Sequence, residues 1–334
     1  KLQRIGEAVQ NYVRSIGPTE GSALMKKIEG DATKVMADFQ KENEKTVIHK
    51  ISVSGNRIEY KATGAVPGRV LNQFSMDEHE GNFRIATTTS SGQSLNHVYV
   101  MDQDLKVVGK IEDLAMTERI YSARFMGDKA YLVTFHRTDP LFVIDLSDSA
   151  KPRVAGELKI PGFSEYLHPF DETHLIGLGR EADENGRQTG QIKLSIFDVT
   201  DISNPKEMHK YLIGDNYAYS EALNDHKAFL FSKGKNLLAI PVSASSMENG
   251  KHVEGAYVFG ITLENGFDLK GVIDHNLNKE EKYISPVKRS LYIEDVLYTI
   301  SDRMVKANKL GDLSQILEII LSASDYEVPV YQRI

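Results

Sequence analysis

Apolar positions in this chain come in short, punctuated runs. Between Thr117 and Gly179 four follow one another: Tyr121–Met126, Ala130–Phe135, Leu141–Leu146 and Val154–Ile160. Gly127-Asp128-Lys129, the stretch His136–Pro140, Ser147-Asp148 with Pro152, and Pro161-Gly162 separate or close them. Runs this short, rich in β-branched and aromatic residues and bounded by Gly, Pro and Asp, predict strands. Four in succession with tight connections predict an antiparallel meander.

The pattern then restarts, and self-similarity at this length signals a repeat architecture. A Tyr stands four residues before an apolar position in Tyr121/Phe125, Tyr166/Phe170, Tyr219/Leu223 and Tyr283/Val287. The third strand of a unit ends in Asp at Asp102, Asp145 and Asp198. Two units share a longer phrase, Asp145-Leu-Ser-Asp148 with Pro152 and Asp198-Val-Thr-Asp201 with Pro205. Four-stranded units of roughly 40–50 residues predict the blades of an all-β propeller.

Two stretches depart from this. Residues 1–45 carry Ile5, Ala8, Val9, Tyr12, Val13 and Ile16 at helical spacing, then Gly17-Pro18, then a second helical stripe that Thr19 or Ser22 would cap. They predict a helical excursion leaning on a sheet; the sharper alternative is a lid or partner-binding helix pair. Residues 46–334 form the propeller. Thr46–Ser54 and Arg57–Ala65 alternate around Gly55-Asn56 and predict a hairpin, the two outer strands of a blade whose inner strands are missing before residue 46. Five blades follow, beginning near Leu71, Tyr121, Ser164, Tyr219 and Tyr283, and the tail Tyr326–Ile334 alternates again. The chain opens at Lys1 without Met or a signal sequence, so a longer parent protein is expected.

Composition narrows the function classes. Net charge is −7 without a basic stripe, so nucleic acid is not an expected partner. No run of ~18 apolar residues is present, so no membrane span is expected. With no Cys, disulfides and thiolate metal sites are excluded.

Several phrases match a known family in order as well as period: Leu71–Thr88 (LNQFSMDEHEGNFRIATT), Glu118–Phe135 (ERIYSARFMGDKAYLVTF), Asp139–Asp171 and Ser220–Phe231. On these the chain resembles the secreted bacterial and archaeal proteins with a C-terminal β-propeller domain, distantly related to WD repeats. The resemblance covers about Thr46 to Leu321 and leaves the helical stretch outside. It implies an extracellular or cell-surface location and carries no assigned reaction, so no catalytic residue comes with it.

The chemistry-bearing residues must therefore be read from position. Asp102, Asp145 and Asp198 sit at strand ends where carboxylates accept bonds from turn amides, and their repetition favours that structural role. Calcium, as a possible cofactor, would need several oxygen ligands. The acidic candidates are Asp183 and Glu184 in one loop and Asp102 and Asp104 in another, neither with EF-hand spacing. Ten His are present, His136, His168, His174 and His226 within blades, but no helical zinc spacing occurs. G-x-S-x-G, P-loop and dinucleotide motifs are absent. The first strand of each blade lines a propeller's channel. Asn72, His168 and Glu221 stand two residues before the repeated apolar position, and Arg124 one residue before it. Convergent polar groups in a concavity make a binding-site hypothesis. The expected function is an extracellular binding or scaffold module that engages a protein, small-molecule or saccharide ligand at the top face and channel mouth. The alternative is a hydrolase or lyase with carboxylate and His groups at the channel, with or without a divalent cation.

Overall fold

Gly17 sits at φ 89, a left-handed conformation that suits glycine, and Pro18 opens the helix that follows it. In the computed structural model, which describes residues 2–90, 93–135, 139–183, 185–215, 217–245, 252–275 and 285–321, this pair separates α1 (Leu2–Ser15) from α2 (Pro18–Asn43). Neither Thr19 nor Ser22 is the cap. Proline fixes the start of α2 earlier, and Gly17 stands at the N-cap with no side-chain bond. His136, Glu184, Tyr283 and the tail Tyr326–Ile334 lie outside the described residues.

The chain divides into two compact units, Lys1–Ile120 with Asp148–Pro152, and Tyr121–Ser147 with Arg153–Ile334. In the first, β1 (Lys45–Ser54) and β2 (Arg57–Pro67) form the expected hairpin, with Gly55 at φ 59 in its turn. The next sheet holds β3 (Arg69–Val70), β4 (Met76–His79), β5 (Asn82–Thr89), β6 (Leu95–Met101) and β7 (Val107–Leu114), in the order β3-β5-β6-β7 with β4 also paired to β5. The strand expected from Leu71 is broken by a 3-10 turn at Gln73–Ser75, because the Asn72 side chain accepts the Phe74 N–H at 2.9 Å.

The second unit holds four antiparallel four-stranded sheets, each in sequence order. They are β8 (Arg119–Met126), β9 (Lys129–Phe135), β10 (Asp139–Asp145) and β11 (Arg153–Ile160); β12 (Phe163–Asp171), β13 (His174–Ala182), β14 (Gln188–Asp198) and β15 (Lys206–Ile213); β16 (Leu230–Ser232), β17 (Leu237–Ser245), β18 (His252–Thr262) and β19 (Gly266–Ile273); β20 (Arg289–Ile293), β21 (Val296–Ile300), β22 (Met304–Lys309) and β23 (Gln315–Ile320). The fourth repeat does not start as a strand at Tyr219. Ser220 and Asp225 accept the amides of Ala222 and Lys227, and these caps wind two 3-10 turns before β16 begins at Leu230.

Middle strands are more deeply buried than outer ones. Every residue of β6 is buried, whereas β15 alternates exposed and half-buried positions along nearly its whole length. A strand covered on both faces needs a continuous apolar run, and one with a wet face does not. The core is accordingly made between sheets. Tyr131, Val143, Leu167, Leu175 and Phe197 form one cluster of the second unit, and Val66, Ile85, Tyr99 and Met101 form one of the first.

The repeated phrases have a packing cause. On β11, a β-carbon at Gly156 would lie 2.2 Å from Ile202 O and 3.0 Å from Pro205 Cδ. On β7, one at Gly109 would lie 2.1 Å from Ser149 O and 2.8 Å from Pro152 Cδ. The Asp-x-x-Asp turn of one repeat thus closes on bare backbone of an outer strand, and a register shift lies beside each glycine. The turn aspartates serve their own loops: Asp145 Oδ1 accepts from Ser147 N at 3.0 Å, Asp198 Oδ1 from Thr200 N at 2.9 Å and Asp201 Oδ1 from Ser203 N at 3.0 Å.

Candidate functional site

A register shift at Glu165 interrupts β12, the alternation after it places Tyr166 and His168 on one face of this inner strand, and β8 places Arg124 on the neighbouring one. Arg124 Nε and Nη2 donate to Leu167 O at 2.9 and 2.6 Å, and the guanidinium lies 5.5 Å from the Tyr166 ring centre. The Tyr166 hydroxyl is 2.9 Å from His168 Nδ1. His168 packs on Phe229 and Phe231, with ring centres 5.1 and 5.3 Å away. Burial pushes the His168 ring down to about 4, and the Arg124 charge adds to that shift. The imidazole is therefore neutral near pH 7, able to accept from the tyrosine at Nδ1. Two expected residues, Arg124 and His168, are brought together through Tyr166, a residue read as packing.

Glu221 belongs to a different group in the same unit. It sits on the first of the two 3-10 turns and accepts from the Tyr219 hydroxyl at 3.0 Å. Tyr219 is fixed by a two-bond bridge to Ser243, with N···O distances of 2.8 and 2.9 Å. Tyr219, Glu221, Ser243, Glu254 and Lys288 line a cavity of about 200 Å³ whose remaining walls are proline, valine and glycine. Burial raises the Glu254 carboxyl, against the opposing charge of His252. Beside this group Arg180 donates to Ala218 O at 3.0 Å and lies 3.6 Å from Glu165, whose carboxyl is also raised by burial. The arrangement offers acceptors, two hydroxyls and the Lys288 ammonium, which also lies 2.6 Å from Asp302 Oδ2, around a space of about 200 Å³.

β17 runs to Ser245 and β18 starts at His252, so Ser243 and Glu254 pair directly across the strands. That register is what turns Glu254 toward Tyr219, and no spacing rule in the sequence carries it. Glu221 was an expected position, whereas Glu165 follows no repeat, since it precedes Tyr166 by one residue while Glu221 follows Tyr219 by two.

The remaining candidates have local partners. Asn72, in the first unit, caps its own 3-10 turn. Asp102 Oδ1 accepts from Asp104 N and Lys106 N, both at 2.9 Å, and Asp183 Oδ1 from Asn185 N and Arg187 N at 2.9 and 2.8 Å. Asp104 is exposed, 3.8 Å from Lys106. Among the described residues no three His, Asp or Glu side chains gather closely enough to hold a metal ion. No described helix is long and apolar enough to cross a membrane.

Successive antiparallel four-stranded sheets, with polar residues at the starts of the inner strands, define a β-propeller. The chain belongs to the Beta propeller domain family, whose model matches residues 10–313. The match begins inside α1, so the helical stretch expected to fall outside the family is part of it. The uncharacterized protein MJ1554 of Methanocaldococcus jannaschii is 37% identical over 305 residues, which cover 90% of this chain and 44% of that protein. An uncharacterized protein of Archaeoglobus fulgidus is 38% identical over 279 residues, covering 82% and 39%. The chain thus spans less than half the length of these curated relatives. Among solved structures, BamB from Moraxella catarrhalis is similar at 10% identity and TM-score 0.38, over 84% of this chain and 91% of that one. Dihydro-heme d1 dehydrogenase NirN is similar at 12% identity and TM-score 0.41, over 86% and 57%.

Proposed function

We propose that this chain is a binding module that takes a small polar ligand in the Glu221–Glu254–Lys288 cavity, at the channel mouth of the propeller, outside the cell or on its surface. The observation that carries this reading is the convergence of Glu221, Glu254, Lys288, Tyr219 and Ser243 on one cavity of about 200 Å³. A concavity with apolar walls and a few convergent polar groups is the usual form of a small-molecule site. Two carboxylates against one ammonium favour a ligand rich in donors, and flat proline and valine walls suit the C–H face of a ring. An amino sugar meets both demands at this size.

Isothermal titration with glucosamine and N-acetylglucosamine tests the reading. Saturable binding is expected, weakened about tenfold in Glu221→Gln through loss of a charge-assisted bond. No binding of either sugar, or equal binding by the variant, would remove the assignment.

One observation favours the hydrolase or lyase reading. Glu254, whose carboxyl is raised by burial, shares its cavity with a second carboxyl, Glu221, and a pair of carboxyls is what acid–base chemistry requires. That reading requires turnover of the bound sugar derivative, assayed with a chromogenic glycoside and lost in Glu254→Gln.

A further inference from the structure

His97 stands on β6 with no exposed surface, and its neighbours fix where it carries its hydrogen. The Asp113 amide faces Nδ1 across 3.3 Å, and an amide N–H can only donate, so Nδ1 accepts. Nε2 then bears the ring hydrogen and faces Thr89 Oγ1 at 3.4 Å. A protonated ring donates from both nitrogens, so Nδ1 would meet a second donor.

That amide belongs to a strained corner. Asp113 and Ala115 are non-glycine residues at φ 61 and φ 48. Backbone of this kind persists where its surroundings over-determine it. His97 Nδ1 is one of the groups that hold it. Asn96 Nδ2 is another, donating to Leu114 O at 3.0 Å and to Ala115 O at 3.3 Å.

The corner in turn tethers α2. Lys41 Nζ donates to Asp113 Oδ2 at 2.9 Å, while Asp113 Oδ1 lies 4.0 Å from His97 Nδ1. Glu112, which is 3.7 Å from Lys41, is already engaged by the Tyr99 hydroxyl at 2.9 Å and by Lys110 Nζ at 2.8 Å. Burial and then the Lys41 ammonium push the His97 ring down to about 4, with Lys110 adding to the shift and Asp113 and Glu112 opposing it. Asp113 is thus the carboxylate that a proton on His97 would claim, and Lys41 the cation it would repel. The end of α2 keeps a separate anchor, since Glu44 accepts Ser90 N at 2.7 Å and lies 3.2 Å from Arg69 Nε.

We infer that His97 and Lys41 compete for Asp113, so that a proton on His97 frees the Lys41 tether and lets the C-terminal half of α2 lift from the first unit's sheet about Glu44. Lifting opens the ring to water, where its ordinary 6.5 applies. Each pH unit below 6.5 therefore favours lifting about tenfold, until the closed state also takes the proton near 4.

The test uses the full chain, which has no cysteine, with one thiol introduced at a time. Gln40 is 1% exposed beside Leu95 and Asp113, so the thiol of Gln40→Cys reacts with dithiodipyridine only when α2 lifts or the chain unfolds. Ala130→Cys, at a fully buried position of the second unit, reports unfolding alone. Rates are taken relative to a short peptide thiol at the same pH. The Gln40→Cys thiol should be the less protected of the two, and its protection should fall about twentyfold from pH 7 to pH 5. Adding His97→Asn, which keeps an acceptor near the Nδ1 position and takes no proton, should make that protection constant over the same range. Adding Lys41→Met instead should lower it at pH 7 by roughly three- to fivefold, the loss of one ion pair near the surface. Equal protection of the two thiols, a flat profile between pH 7 and 5, or the same fall with His97→Asn overturns the proposal. Unchanged protection with Lys41→Met at pH 7 overturns it as well.

Discussion

A β-carbon on Gly156 would sit 2.2 Å from the carbonyl oxygen of Ile202, so the turn after β14 closes on naked backbone of β11. No side chain fits there without moving main chain. Gly156→Ala is expected to cost roughly 1–3 kcal/mol, the range for overpacking a well-filled site. The control is Gly234→Ala, where nothing lies within 4 Å of the added carbon and the backbone is not left-handed. Urea melts of both variants check this. Equal stability of Gly156→Ala and wild type would mean that the turn gives way freely, and the packing explanation of the repeated phrase would fall.

Two buried histidines should make stability depend on pH. Burial pushes His97 and His275 down to about 4 from an ordinary 6.5, with the charges of Lys41 and Lys306 the next contributions. The folded state refuses a proton that the unfolded chain accepts between these values. Stability is therefore complete above about pH 6.5 and declines as the pH is lowered toward 4, by about 3 kcal/mol for each ring. His275 lies between Ser301 Oγ and Thr299 Oγ1, both at 2.8 Å, so its replacement lowers the starting stability as well. The diagnostic is the slope. His275→Gln should lose less stability between pH 7 and 4 than wild type does, and parallel profiles would contradict the assignment.

The same physics decides what could be read from the chain beforehand. Runs such as Ala130–Phe135 and Leu141–Leu146 were legible because Gly, Asp and Pro mark where a sheet turns, and turn chemistry is local. The start of the fourth repeat was not. There Ser220 and Asp225 offer the backbone side-chain bonds that compete with a ladder, and two helical turns win. Arg124 and His168 were legible as a pair of inner-strand positions, but their link through Tyr166 depends on strand-to-strand reach. Glu254 and Lys288 were invisible, because the first is set by the β17–β18 register and the second follows no repeated position.

The junction between α2 and the first unit's sheet should depend on one carboxylate. Glu44 is 6% exposed; its Oε2 accepts Ser90 N at 2.7 Å, its Oε1 accepts Ser90 Oγ at 3.0 Å and lies 3.2 Å from Arg69 Nε. Its own carbonyl accepts Gly68 N at 2.6 Å. Glu44→Ala leaves the Ser90 amide without its acceptor and should cost about 2–4 kcal/mol. Hydrogen exchange at the C-terminal turns of α2 should accelerate in the variant. Unchanged protection there would show that the helix is held by its apolar face alone.

Arg124 should control the proton affinity of His168. Burial is the larger cause of the low value, about 4, and the Arg124 charge is the second. Arg124→Met removes that charge and keeps the apolar stem, so the imidazole should titrate higher than in wild type and still below its ordinary 6.5. The substitution also strips two donors from Leu167 O, which costs stability of roughly 1–3 kcal/mol, as for bonds to a charged donor. The two effects separate cleanly, because stability is read from denaturant melts and proton affinity from the His168 ring signals in a pH titration. Tyr166→Phe tests the other contact. Its hydroxyl lies 2.9 Å from Nδ1 and favours the neutral ring if it donates there, so its loss should also raise the titration point. A fall in Tyr166→Phe would reverse the assigned role, placing the hydroxyl as acceptor from a protonated ring, and a fall in Arg124→Met would remove the guanidinium charge as a cause of the low value.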